Sequence, residues 1–155
     1  MQNSFMAKAI ELSIENVRSG KGGPFAAVIV KEGKVIAQGT NRVASSNDPT
    51  AHAEIVAIRE ACRVLGHFQL TGCEIYTTCE PCSMCMAAIY WARPAKVYFA
   101  STGEDAARYG FDDAYIREQL QLPPAQKKIP MAQIMRDQAL KAFPLWEQKT
   151  DKIEY

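Results

Sequence analysis

The hexapeptide Glu80-Pro81-Cys82-Ser83-Met84-Cys85 joins a run of strand-forming residues, Thr71 to Thr78, to an apolar helical stretch, Cys82 to Trp91. A further strand-like run, Lys96 to Ala100, follows. Strand, helix and strand at this spacing predict a parallel crossover, right-handed as such connections nearly always are. Pro81 suits the first helical turn, where its missing N–H costs nothing. Cys82 and Cys85 lie three apart and share one helix face, and the positive end of the helix dipole favours their thiolate forms.

Upstream stands His52-Ala53-Glu54. On a regular helix His52 and Glu54 would point in nearly opposite directions, because each residue turns the helix by about 100°. They converge only at a helix start, and Asn47-Asp48-Pro49-Thr50 is turn chemistry that places one there. His52, Cys82 and Cys85 then supply three soft ligands. A structural zinc is closed by four protein ligands, whereas a hydrolytic zinc keeps its fourth position for water and needs a base to take that water's proton. Glu54 is the candidate base.

The remainder of the chain supplies a scaffold for these residues. From Ser4 to Arg18, Lys8, Glu11, Glu15 and Arg18 recur at helical spacing opposite Phe5, Met6, Ala9, Ile10 and Val17, which predicts an amphipathic helix. After the breakers Gly20 to Pro24, the continuous apolar run Phe25 to Val30 suits a central strand buried on both faces. Lys31-Glu32-Gly33-Lys34 turns it into Val35-Ile36-Ala37, an antiparallel hairpin that ends at Gly39-Thr40-Asn41. A helix from about Ala51 to Leu65 stops at Gly66. Another, around Asp112 to Leu120, precedes the breaker Pro123-Pro124 and a last segment from Ile129 to Tyr155.

At 155 residues and 48% hydrophobic composition the chain suits a single domain. No signal peptide or membrane-spanning run is evident. Five cysteines are an odd number, and two belong to the metal motif, so a reducing, cytoplasmic setting is expected rather than a disulfide framework. The net charge is only +1 and the basic residues are scattered, which argues against a long nucleic-acid footprint.

Several residues have two readings. Cys79 and Cys82 form a second CxxC, but Cys79 ends a strand and lacks a preceding proline, so Cys82 and Cys85 are preferred. Cys62 and Cys73 read as core or surface thiols, and His67, after Gly66, as a loop residue. Glu80 is either an acceptor behind the ligands or a plain turn residue.

HxE followed one strand later by PCxxC is the signature of the zinc nucleobase deaminases, and here the chain resembles the cytidine deaminase-like superfamily. Ser46 to Glu54, Cys79 to Cys85, Tyr90-Trp91-Ala92-Arg93-Pro94, Gly110-Phe111-Asp112-Asp113 and the terminal Glu154-Tyr155 are similar to the small bacterial guanine deaminases. The resemblance implies an α/β/α sandwich around a five-stranded mixed sheet, one zinc ion per subunit, and hydrolysis of guanine to xanthine and ammonia. It also implies a homodimer in which the C-terminal segment, about residues 125–155, closes the partner's active site. Packing of Phe143, Leu145 and Trp146 on their own subunit is the alternative.

By the same resemblance Asn41 holds the purine's polar edge, Phe25 stacks near it, and Asp113 and the partner's Tyr155 complete the pocket. Asp112 is close enough to exchange roles with Asp113. The chemistry agrees: guanine's N1–H and amine seek a carboxylate, its carbonyl and N7 seek donors, and its faces seek an aromatic wall. Three rivals stand beside this reading. A tRNA adenosine deaminase shares both motifs, but is disfavoured by the near-neutral charge and the aromatic tail. A guanosine or cytosine deaminase differs only in the pocket. A zinc-stabilised binding module requires a closed fourth ligand, for which only Cys79 stands near.

Overall fold

A computed structural model describes all residues, Met1–Tyr155. Four strands form one mixed sheet: β1 (Ala26–Lys31), β2 (Lys34–Thr40), β3 (Cys73–Cys79) and β4 (Lys96–Ser101), in the order β2-β1-β3-β4. β1 runs antiparallel to both neighbours, and β3 runs parallel to β4. The expected hairpin and crossover are both present. Ala26 to Val30 are all buried, as the uninterrupted apolar run requires of a strand covered on both faces.

Alternation along β1 divides the core in two. Val28 and Val30 pack with Ala9 and Tyr76, against Phe5, Met6 and Leu12 of α1 (Gln2–Arg18). Ala27 and Ile29 face the other way, toward Ala53, Ala57 and Ala61 of α3 (Ala53–Leu65) and Ile89 and Ala92 of α4 (Ser83–Ala92). Helices thus cover both faces of the sheet.

α3 presents alanines to the sheet because the backbones touch. A Cβ on Gly39 would fall on Ala53 O and Ala57 N, so only glycine lets β2 lie against the first turn of α3.

The sequence expectations need four adjustments. The sheet has four strands rather than five. The chain leaves the sheet after Ser101 because Thr102 caps α5 (Gly103–Ala107) in a reciprocal box with Asp105. The later apolar run Ile129 to Met135 forms no ladder, and Pro130 within it has no N–H to give one. α3 begins at Ala53 rather than Ala51, with His52 extended at its N-cap. A short helix that the sequence did not signal, α2 (Val43–Ser46), fills the connection before it. In α1, Ile10 and Val17 are exposed, and the buried face instead runs through Ala9, Ser13 and Asn16.

The chain forms two compact units, Met1–Asp113 and Ala114–Tyr155. The first holds the sheet and the helices named so far. The second contains α6 (Ala114–Gln121), a 3-10 turn at Pro124–Gln126, α7 (Arg136–Leu140) and α8 (Ala142–Gln148). Pro123-Pro124 ends α6 as expected, and Lys127 Nζ closes its C-terminus on Gln119 O at 2.6 Å.

Candidate active site

Two helix N-termini build the site at one end of the sheet. α3 starts after the turn Asp48-Pro49-Thr50, where the Thr50 N–H and hydroxyl both donate to Asp48 Oδ1 at 2.8 and 2.6 Å. These bonds draw the Asp48 carboxyl below its ordinary range. The turn delivers His52 in extended conformation, φ −67° and ψ 156°, immediately before the first helical residue. His52 therefore leaves the helix direction while Glu54 occupies its first turn. The 100° difficulty is resolved by keeping His52 out of the helix.

α4 repeats the device. Cys82 is its extended N-cap, at φ −64° and ψ 170°, and Cys85 lies in the first turn, wholly buried. Ligand atoms of His52, Cys82 and Cys85 all lie within 4.8 Å of one another. Cys82 Sγ is 3.5 Å from His52 Nδ1, and the Cys85 thiol donates to Glu54 Oε2 at 3.4 Å.

The electrostatics divide the two sulfurs. Cys82 is drawn down to about 4, first by the adjacent Cys85 side chain and then by the hydrogen bond from His52, against the cost of burial. Cys85 is pushed far above the ordinary thiol range, first by its bond to Cys82, then by burial and by the nearby Glu54. His52 is raised, chiefly by its bond to Cys82. A bound cation replaces the protons that such donors carry.

Glu54 is only 6% exposed, and its Oε1 accepts a 2.8 Å hydrogen bond from the Thr77 hydroxyl, itself 1% exposed. A buried carboxylate with one oxygen anchored and the other at the ligand cluster suits a group that carries protons. Cys79 stays outside the cluster: it is buried at the end of β3, its sulfur 3.6 Å from Thr102 O. Glu80 reaches the other way, accepting the Gly103 N–H at 3.0 Å. It caps the start of α5, which favours the turn reading over a role behind the ligands. His67 lies in a loop, its Nδ1 accepting from Gln69 N–H.

Phe25 and Asn41 lie together at the same end. Ala27 is opposite Thr77 in the ladder, which puts Phe25, two residues earlier, toward the end of β3 that leads to Cys82. The Asn41 N–H donates to Phe25 O at 3.0 Å, and the Arg42 N–H donates to Ala51 O beside His52 at 2.9 Å. Asn41 Oδ1 accepts from Val43 N–H at 3.3 Å. The Phe25 ring meets Phe111 edge to face, centroids 4.8 Å apart. Asp113 is half-buried and Asp112 exposed. Tyr155 ends the second unit and is 72% exposed.

Residues 1–101 match the family described as the cytidine and deoxycytidylate deaminase zinc-binding region. The chain belongs to this zinc-binding deaminase family. Over 152 residues the deaminase is 50% identical to a guanine deaminase of Bacillus subtilis, spanning 98% of this chain and 97% of that one. The X-ray structure of guanine deaminase from Bacillus subtilis superposes with a TM-score of 0.96, covering 99% and 98% of the two chains. A guanine deaminase structure from Nitrosomonas europaea matches at 35% identity and TM-score 0.67, covering 71% and 64%. A tRNA-specific adenosine deaminase of Aquifex aeolicus is 51% identical over only 50% of this chain and 52% of its own.

Two residues of the deaminase site escaped the sequence reading. Thr77 looked like an ordinary strand residue; its only signal is a hydroxyl in a strand otherwise sealed on both faces. Asn16 lies on α1, is 3% exposed, and donates from Nδ2 to both Gly23 O and Asn41 O, at 2.9 and 3.0 Å. It ties together the loops that carry Phe25 and Asn41. Its signal is a polar residue on the apolar arc of an amphipathic helix, seven positions after Ala9.

Proposed function

We infer that this chain hydrolyses guanine to xanthine and ammonia. The observation that carries this reading is the buried Glu54 beside the ligand set His52, Cys82 and Cys85, in a chain similar over nearly its whole length to a guanine deaminase. One imidazole and two thiolates fit a zinc ion, and three protein ligands leave a position for water. When bound, zinc supplies Lewis acidity that makes water a nucleophile at neutral pH.

Glu54 moves the protons. Its free carboxylate oxygen accepts one from the attacking water and delivers it to ring N3 while the water oxygen adds to C2. Glu54 then takes the proton of the hydroxyl now on C2 and passes it to the exocyclic amine; the C2–N bond breaks, ammonia leaves, and C2 becomes a carbonyl of xanthine. Asn41 and Phe25 hold and stack the purine at the adjoining loop. The half-burial of Asp113, against the exposed Asp112, favours Asp113 as the carboxylate that reads guanine's N1–H and amine.

The reading is tested with zinc-loaded protein, following ultraviolet change and ammonia release with guanine, guanosine, adenine, cytosine and tRNA in parallel. Guanine alone is expected to turn over. Turnover of a nucleoside, cytosine or tRNA with guanine inert would overturn the substrate assignment and leave the zinc chemistry standing.

The chain acts as one deaminase domain whose C-terminal segment, residues 125–155, serves a second copy in a homodimer. No residue of 114–155 is buried, yet Ile129, Met131, Ile134, Phe143 and Leu145 are each at least 60% exposed. An apolar surface of this kind calls for a partner. In that arrangement the partner's Tyr155 completes the pocket. Light scattering is expected to give twice the 17.2 kDa chain mass; a monomer at assay concentration with full activity would refute the exchange. The unpaired cysteines suit a cytoplasmic enzyme, and no helix is long and apolar enough to cross a membrane.

A further inference from the structure

The Glu54 side chain has three rotatable bonds between its backbone and its carboxylate, so its place in the first turn of α3 does not by itself aim the oxygens. Two donors reach it. The Cys85 thiol lies 3.4 Å from Oε2, but as a metal ligand Cys85 is a thiolate with no proton to give. The Thr77 hydroxyl lies 2.8 Å from Oε1 and has no ligand duty.

Thr77 itself is held on every side. It pairs with Ala27 across the antiparallel ladder and with Phe99 across the parallel one, and it is 1% exposed. β-branching restricts its χ1, so the hydroxyl direction follows from the strand backbone. Glu54 is on a helix and Thr77 on the sheet, so their bond spans two layers of the fold.

We propose that Thr77 is a positioning residue for the reaction, its hydroxyl locking one oxygen of Glu54 so that the other faces the ligand cluster as proton carrier. The proposal rests on the base role given to Glu54 above. A carboxylate that has lost this anchor rotates among several orientations, and only a fraction of them can reach both water and ring N3. Substrate contacts at Phe25 and Asn41 are untouched, so the defect belongs in kcat and leaves KM alone.

The near-isosteric Thr77→Val removes the hydroxyl and keeps the β-branch. In zinc-loaded enzyme kcat for guanine is expected to fall about 10- to 100-fold, with KM within about twofold of wild type, and with unchanged zinc content and thermal midpoint. Thr77→Ser, which restores the donor, is expected to recover most of the lost rate. Should Thr77→Val fold poorly, Thr77→Ala provides the same comparison without an added methyl. Wild-type kcat in the hydroxyl-free variants overturns the proposal. A serine variant as slow as valine, or a loss confined to KM or matched by lost zinc, does the same. A Glu54→Ala control separates the two readings: if it is inactive while Thr77→Val runs at the wild-type rate, only the positioning role fails; if it is active, the base role fails first.

Discussion

Glu54→Ala is expected to bind zinc and fold as wild type while losing at least about 10²- to 10⁴-fold in kcat, the range that general acid–base catalysis commonly supplies. The expectation follows from where the side chain sits. Glu54 is 6% exposed, with one carboxylate oxygen held by the Thr77 hydroxyl and the other beside Cys85 at the ligand cluster, the position from which the proposed proton transfers are made. The proposed ligand set is His52, Cys82 and Cys85, and Glu54 has no part in it. Zinc content by atomic absorption and the unfolding midpoint should therefore stay level while ammonia release collapses. An active Glu54→Ala enzyme would sink the base assignment.

Replacing Cys85 with alanine should remove both the metal and the activity. Cys85 is wholly buried in the first turn of α4 and offers one of the three clustered ligand atoms. With two ligands left, zinc retention through dialysis against a chelator is expected to drop to near zero, and turnover with it. Cys79→Ala is the informative companion. Although Cys79 and Cys82 have the same CxxC spacing, the Cys79 sulfur is directed to Thr102 O at the end of β3. That variant should keep its zinc and most of its rate. Loss of zinc in Cys79→Ala with retention in Cys85→Ala would reverse the choice of ligand pair.

Much of this site is legible without coordinates because its ligands are local to two helix starts. Pro81 and Asp48-Pro49-Thr50 mark those starts by chemistry that acts over three or four residues, and the unbroken apolar run of β1 identifies a doubly covered strand. The four strands were visible in the same way. The fifth, inferred from family likeness rather than from strand chemistry, is absent: Thr102 and Asp105 close a capping box directly after β4, and a local signal of that kind prevails over analogy.

Other features depended on which distant segments meet. Glu80, beside the ligand motif in sequence, turned out to cap α5 through the Gly103 N–H. Asn16 shows in sequence only as a polar residue on the apolar arc of α1; its partners, Gly23 and Asn41, seven and twenty-five residues away, are set when α1 is laid on the sheet.

The sequence alone brought out the central strand, the parallel crossover, the candidate ligand set and the proposed base, since each is set by residue type and short-range spacing. Only the tertiary structure decided that Thr77 anchors Glu54 from 23 residues away and that Gly39 admits α3 against β2. A hydrogen bond between a strand and a helix depends on their relative placement, and that is settled by packing of the whole core.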